Sequence, residues 1–124
     1  LRRFRGAGVI EVTLPWPPKE LSPNARVHPQ IKAKAAKMYR QACWALAKEA
    51  KLPRQGVDSV SLEITFHWPD RRKRDLDNCL ASIKSGLDGV ADAMGINDAQ
   101  WTDIRLRLGF EIGGMVRVRV GVTQ

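Results

Sequence analysis

The chain has 124 residues, 44% of them hydrophobic and 27% charged, which suits one globular domain and excludes a disordered polyelectrolyte. No apolar run approaches the ~18 residues of a membrane span, and Gly6 and Gly8 stand where a signal peptide would carry its apolar stretch, so a cytoplasmic protein with no membrane partner is expected. Lys and Arg outnumber Asp and Glu by 21 to 13; the resulting +8 falls only to +5 without Arg2, Arg3 and Arg5, and a surface of that sign attracts polyanions, nucleic acid ahead of anionic lipid.

Residues 1–8 read as a basic tail and 9–124 as the single domain. From Val9 to Leu14 the side chains alternate, with Ile10, Val12 and Leu14 on one side, which predicts a strand that Pro15-Trp16-Pro17-Pro18 ends. A polar loop follows. Gln30 to about Ala50, free of Gly and Pro and rich in Ala, Lys and Gln, predicts a helix. A second strand runs from about Ser59 to Trp68 with Val60, Leu62, Ile64, Phe66 and Trp68 on one face. A charged segment comes next, after which Leu80, Ile83, Leu87, Val90, Ala91 and Met94 recur at helical spacing as far as Gly95. Ile104 to Ile112 and Val116 to Val122 alternate on either side of Gly113-Gly114, a hairpin signal. The expected fold is α/β of the α+β type, in the order β-α-β-α-β-β, with two helices and a mixed four-stranded sheet. Cys43 and Cys79 both fall in helical stretches, a placement that suits a reducing compartment better than a disulfide framework.

The segment Asp70-Arg71-Arg72-Lys73-Arg74-Asp75-Leu76-Asp77-Asn78 carries the most chemistry. Arg71, Arg72, Lys73 and Arg74 sit in a loop, where they can reach a DNA backbone. Asp75 and Asp77 follow beside that positive charge. Two hard oxygen donors next to a phosphate-binding patch match what Mg²⁺-assisted phosphodiester hydrolysis needs. The same two residues also suit a helix start, Asp75 as N-cap and Asp77 as an acid in the first turn, and local sequence leaves both readings open. A calcium loop is excluded, because Leu80 occupies the position that requires Gly.

Asp98 lies in the loop after the second helix, with nothing local to distinguish it from Asp88, Asp92 or Asp103. Lys84, seven residues after Asp77, falls on the same face of a continuous helix and would reach toward a bound phosphate. His28 and His67 lack metal-ligand partners, and His67 is expected to face outward from its strand. Core packing is expected for most of Trp16, Trp44, Trp68 and Trp101.

Three blocks, Leu14-Pro15-Trp16-Pro17-Pro18, Trp68 to Asn78 and Asn97-Asp98-Ala99-Gln100, resemble the RusA family of Holliday junction resolvases, and the order of elements agrees from about Val9 to Val122. The resemblance implies a phage- or prophage-associated homodimeric endodeoxyribonuclease that cuts four-way DNA junctions with Mg²⁺ or Mn²⁺. It implies Asp75, Asp77 and Asp98 as the metal-binding catalytic carboxylates. Two positions depart from the family pattern: Asn97 stands where an acid is frequent, and Ala81 where the type member has a catalytic lysine, whose role would pass to Lys84. The alternatives are a non-cleaving, structure-selective DNA-binding domain and a branched-DNA or flap nuclease without strict junction choice.

Overall fold

The computed structural model describes residues 9–54 and 57–123; the predicted basic tail at 1–8 lies outside the described residues. Seven principal elements follow one another: β1 (Val9–Pro15), α1 (Pro29–Glu49), β2 (Ser59–His67), α2 (Leu76–Ser82), α3 (Lys84–Met94), β3 (Trp101–Leu108) and β4 (Met115–Thr123). Short 3-10 turns at Lys19–Leu21 and Asp98–Gln100 precede α1 and β3.

The strands form one mixed sheet in the order β1-β4-β2-β3. β4 runs antiparallel to both β1 and β2, while β3 lies parallel to β2 on the outer edge. This corrects the predicted hairpin: β3 and β4 flank β2 and are not paired with each other. A parallel neighbour needs a long crossover, and the 76–94 helical segment supplies it between β2 and β3.

Alternation fixes which sheet face is buried. Val12, Leu14, Val60, Leu62, Ile64, Phe66, Val116, Val118 and Val120 are all buried and form the core with the helices. Arg105, Arg107, Arg117, Arg119 and Glu63 lie on the opposite face of their strands. On the helical side, Tyr39, Cys43 and Ala47 of α1 repeat at four-residue spacing and meet α3. α3 admits α1 closely through Gly89, where an added Cβ would collide with the backbone carbonyl of Arg40. Arg40 and Asp92 clamp the two helices at their rim by hydrogen bonds of 2.7 and 2.9 Å.

The second predicted helix is two helices rather than one. Ile83 has φ −99° and ψ 5°, and its N–H is shared between the carbonyls of Cys79 and Leu80 at 3.2 Å each. Ser82 Oγ donates to Asn78 O at 2.9 Å, a back-bond of the kind that bends helices. His67 stands on the sheet face opposite the core, as alternation requires, yet it is buried, because the 109–114 segment covers it. Its Nδ1 donates to Glu111 O at 3.1 Å, and Gly109 lies against its ring.

Candidate nucleic-acid and metal site

β2 ends at His67, and Pro69 turns the chain into the charged loop, which then enters α2. A cleft opens there, lined by Trp16 and Pro17 from the end of β1, Arg72, Lys73 and Arg74 from the loop, and Asp75 and Asn78 from the start of α2. Asp70 organises the loop. It accepts from Arg74 Nη1 at 2.9 Å, from Arg74 Nη2 at 3.1 Å and from the backbone N–H of Arg72 at 2.9 Å. These donors, Arg74 first, hold its carboxyl down at about 2.

Arg74 is therefore committed within the protein. Besides Asp70 it donates to Arg72 O at 2.9 Å, and its guanidinium lies 5.6 Å from the Trp16 ring centre and 6.0 Å from that of Trp68. Its side chain is only 20% exposed. Expected as a DNA contact, it serves in this chain as the fastener of the loop. Arg71, Arg72 and Lys73 are exposed, with Arg72 Nε 3.5 Å from Asp70 Oδ2.

Asp75 occupies the N-cap position of α2 with extended backbone, but its carboxylate caps no backbone N–H. Its one hydrogen bond among the described residues is a long one, 3.5 Å from Asn78 Nδ2. An N-cap residue would spend its oxygens on N2 or N3, so the side chain is left available at the mouth of the cleft. Asp77 is exposed in the first turn of the same helix. The helix start carries both carboxylates two residues apart, and only Asp75 lines the cleft.

Lys84 is not brought to the same place. The break at Ile83 puts it at the start of α3, where it lines a neighbouring hollow with Ala81, Ser85 and Asp88. Ser82 borders both hollows. The side chain of Asp98 lies outside the described residues, but the backbone of its turn is placed. Gln100 Nε2 donates to Val57 O at 3.0 Å, and Trp101 pairs with Val60, so the turn sits at the entry of β2. Asp75 follows the exit of β2. Nine strand residues at about 3.3 Å each separate the two ends by ~25–30 Å.

The donor set can be tested against a divalent ion. Asp75 and Asp77 supply hard carboxylate oxygens of the kind Mg²⁺ prefers. Among the described residues of one chain, no group of three or more acidic, His or Cys side chains could hold a metal. The parallel placement of β3 sends the turn that carries Asp98 to the opposite end of the sheet from α2. That placement and the commitment of Arg74 were not available from local spacing.

A crossover junction endodeoxyribonuclease RusA from Escherichia coli K12 is 34% identical to this chain over 100 residues, covering 77% of this chain and 78% of its own. This chain belongs to the RusA family. The RusA of Enterobacteria phage 82 is 33% identical with the same coverage. An uncharacterized protein of Xylella fastidiosa is 44% identical over 103 residues, and the chain spans 66% of that relative's length. No family model matches the chain. Among solved structures, a 2C-methyl-D-erythritol 2,4-cyclodiphosphate synthase from Plasmodium vivax overlaps 73% of this chain and 53% of its own at 9% identity. Its TM-score of 0.35 is too low to bear on fold or activity. No helix among the described residues is long and apolar enough to cross a membrane.

Proposed function

We propose that this RusA-family chain is a metal-dependent endonuclease that resolves four-way DNA junctions by paired symmetric nicks. The observation that carries the reading is the uncapped carboxylate of Asp75, next to Asp77, at a cleft rimmed by exposed cations. A residue needed only to start a helix would be capping it. The relatives named as crossover junction endodeoxyribonucleases supply the substrate class.

Asp75, Asp77 and Asp98 would hold Mg²⁺, with Mn²⁺ able to substitute. Because Asp98 lies a sheet-length away in its own chain, the third carboxylate would come from a second copy, so the catalytic unit is a homodimer with two composite sites. The ion, when bound, supplies charge neutralisation at the scissile phosphate and activates water for in-line attack at phosphorus. Arg71, Arg72 and Lys73 would position the backbone. Arg74 would hold their loop through Asp70, and Lys84 would add positive charge along the strand leaving the cleft. Two opposed sites related by a two-fold axis suit a substrate that needs two symmetric cuts.

The test is incubation with labelled four-way junction, flap and duplex DNA, with and without Mg²⁺. Metal-dependent symmetric cuts in the junction alone are expected. Equal cutting of the flap would make the chain a general branched-DNA nuclease, and binding without cutting would reduce it to a structure-selective binding domain.

A further inference from the structure

The helices cover one face of the sheet, and strand register sorts the outward side chains of the other face into rows. One row runs Glu11, Arg119, Glu63 and Arg105 from β1 to β3, with acids and bases alternating. Opposite charges that face each other across strands attract. Glu63 lies 3.8 Å from Arg119 and, diagonally, 3.4 Å from Arg107. The next row toward the exit of β2 runs Thr13, Arg117, Thr65 and Arg107, with two cations and no acid. Arg117 is exposed, and its neighbours across both strands are the two threonines. Arg107 keeps 60% of its side chain exposed despite its contact with Glu63.

This second row borders a hollow of about 290 Å³. Arg107, Arg117 and Arg119 line it against Glu11 and Glu111, so positive charge prevails. Thr65 stands between Arg107 and Arg117, which are two strand spacings apart, about 10 Å. Two long guanidinium side chains can converge from that distance above the threonine hydroxyl. Buried His67 lines the same hollow two residues further along β2. Its Nδ1 is spent on Glu111 O, and its Nε2 has no partner among the described residues. The hollow therefore combines excess cations with a buried polar atom that the fold leaves unanswered.

We propose that Arg107, Arg117 and Thr65 form a phosphate site on the open sheet face, one that grips the backbone of a DNA arm outside the cleft. The proposal takes the kind of DNA from the nuclease reading above and its location from the row itself. Guanidinium forks match phosphate oxygens two at a time, and a hydroxyl supplies a further donor. The row lies at the same end of the sheet as the loop of Arg71, Arg72 and Lys73, because Thr65 precedes that loop by a few residues. Duplex DNA carries a phosphate at every step, so an arm passing the end of β2 meets both sets of cations.

Metal-free binding of a labelled four-way junction over a salt series, on the full chain, tests the surface. Arg107→Gln with Arg117→Gln should weaken binding at least tenfold and lower the salt slope by about two units. Both side chains are exposed, so the circular dichroism spectrum should not change. Thr65→Val keeps the shape and removes the hydroxyl; it should weaken binding several-fold with the slope unchanged. Lys34→Gln with Lys37→Gln removes the same charge from exposed positions on α1 and should leave the slope as in the wild type. A wild-type slope in the double arginine variant, wild-type affinity in Thr65→Val, or an equal loss in the lysine variant would overturn the proposal. Calorimetry with inorganic phosphate separates the two sources of the anion. Phosphate bound by the wild type and lost in the double arginine variant, with junction binding unchanged, would make this a free-phosphate site and overturn the DNA assignment. The expected losses in a chain that never cuts junctions would leave the surface standing and sink the nuclease reading. Metal-dependent cutting by a chain whose double arginine variant keeps the wild-type slope would do the reverse.

Discussion

Arg74 and Asp70 form a two-pronged pair, Nη1 to Oδ1 at 2.9 Å and Nη2 to Oδ2 at 3.1 Å, with the guanidinium within 6.0 Å of the ring centres of both Trp16 and Trp68. The pair joins the end of β1, the exit of β2 and the start of α2 in one place, so the strand-to-helix loop has a fixed shape before any substrate arrives. A lysine offers a point charge and cannot hold two oxygens and the Arg72 carbonyl in a plane. Arg74→Lys should therefore slow junction cleavage about tenfold while leaving the salt dependence of binding nearly unchanged. Arg72→Ala should weaken binding and flatten its salt slope by about one unit. Filter binding over a salt series, beside single-turnover cleavage, checks both.

The same pair makes the fold sensitive to acid. Asp70 has its carboxyl lowered from 3.8 to about 2, chiefly by its hydrogen bonds from Arg74 and Arg72. Asp92 is also lowered, by its hydrogen bond from Arg40. Groups with depressed values stabilise the folded state above the unfolded value and lose that contribution as pH falls through the folded one. The melting temperature should therefore decline between about pH 4 and pH 2, and Asp70→Asn should make that decline shallower. Thermal denaturation followed by circular dichroism across this range is the measurement; a decline of wild-type steepness in Asp70→Asn would contradict it.

Gly89 is where α3 meets the α1 backbone. A Cβ there would run into the carbonyl of Arg40, which cannot rotate away as a side chain could. Gly89→Ala should cost about 1–3 kcal/mol by overpacking, despite alanine's better helix propensity. Gly95, with open space around it but φ +69°, should respond to alanine through backbone strain alone. Urea denaturation of the two variants separates the effects.

The aspartates and Lys84 can be separated from each other. Asp77→Asn keeps shape and removes a negative charge, so cleavage and Mg²⁺ affinity should fall while metal-free junction binding holds or tightens. If metal-free binding instead weakens as much as in Arg72→Ala, Asp77 is serving the helix start. Lys84→Ala should weaken junction binding and lower its salt slope by about one unit, with little change in the single-turnover rate at saturating protein. Wild-type binding would return Lys84 to a solvated position beyond the Ile83 break.

Much of the fold was legible because burial imposes periodicity. Val60, Leu62, Ile64 and Phe66 alternate in the sequence and are all fully buried. The charged loop and the start of α2 were legible from Pro69 and the aspartates. Strand partners were not. β3 and β4 alternate equally well whether joined as a hairpin or placed on either side of β2, and the Gly113-Gly114 pair suggested the former. In the structure the 109–114 connection runs beside the end of β2, with Gly113 and Gly114 both donating to Trp68 O. Because strand order decides where Asp98 lies, the separation of the three aspartates was hidden with it. The role of Arg74 was hidden for a different reason: a loop of four successive cations does not reveal which one folds back onto Asp70.

The composite site is tested most directly by mixing two inactive chains. Asp75→Asn and Asp98→Asn should each abolish Mg²⁺-dependent junction cleavage alone. If each site takes Asp75 from one chain and Asp98 from the other, a mixed dimer carries one doubly altered site and one intact site. Mixing the two variants, with time for subunit exchange, should restore nicking of one strand per junction. If every site were built within one chain, both sites of the mixed dimer would be defective. Restored single-strand nicking is the predicted result; a mixture as inactive as its components, with subunit exchange demonstrated, would contradict the account.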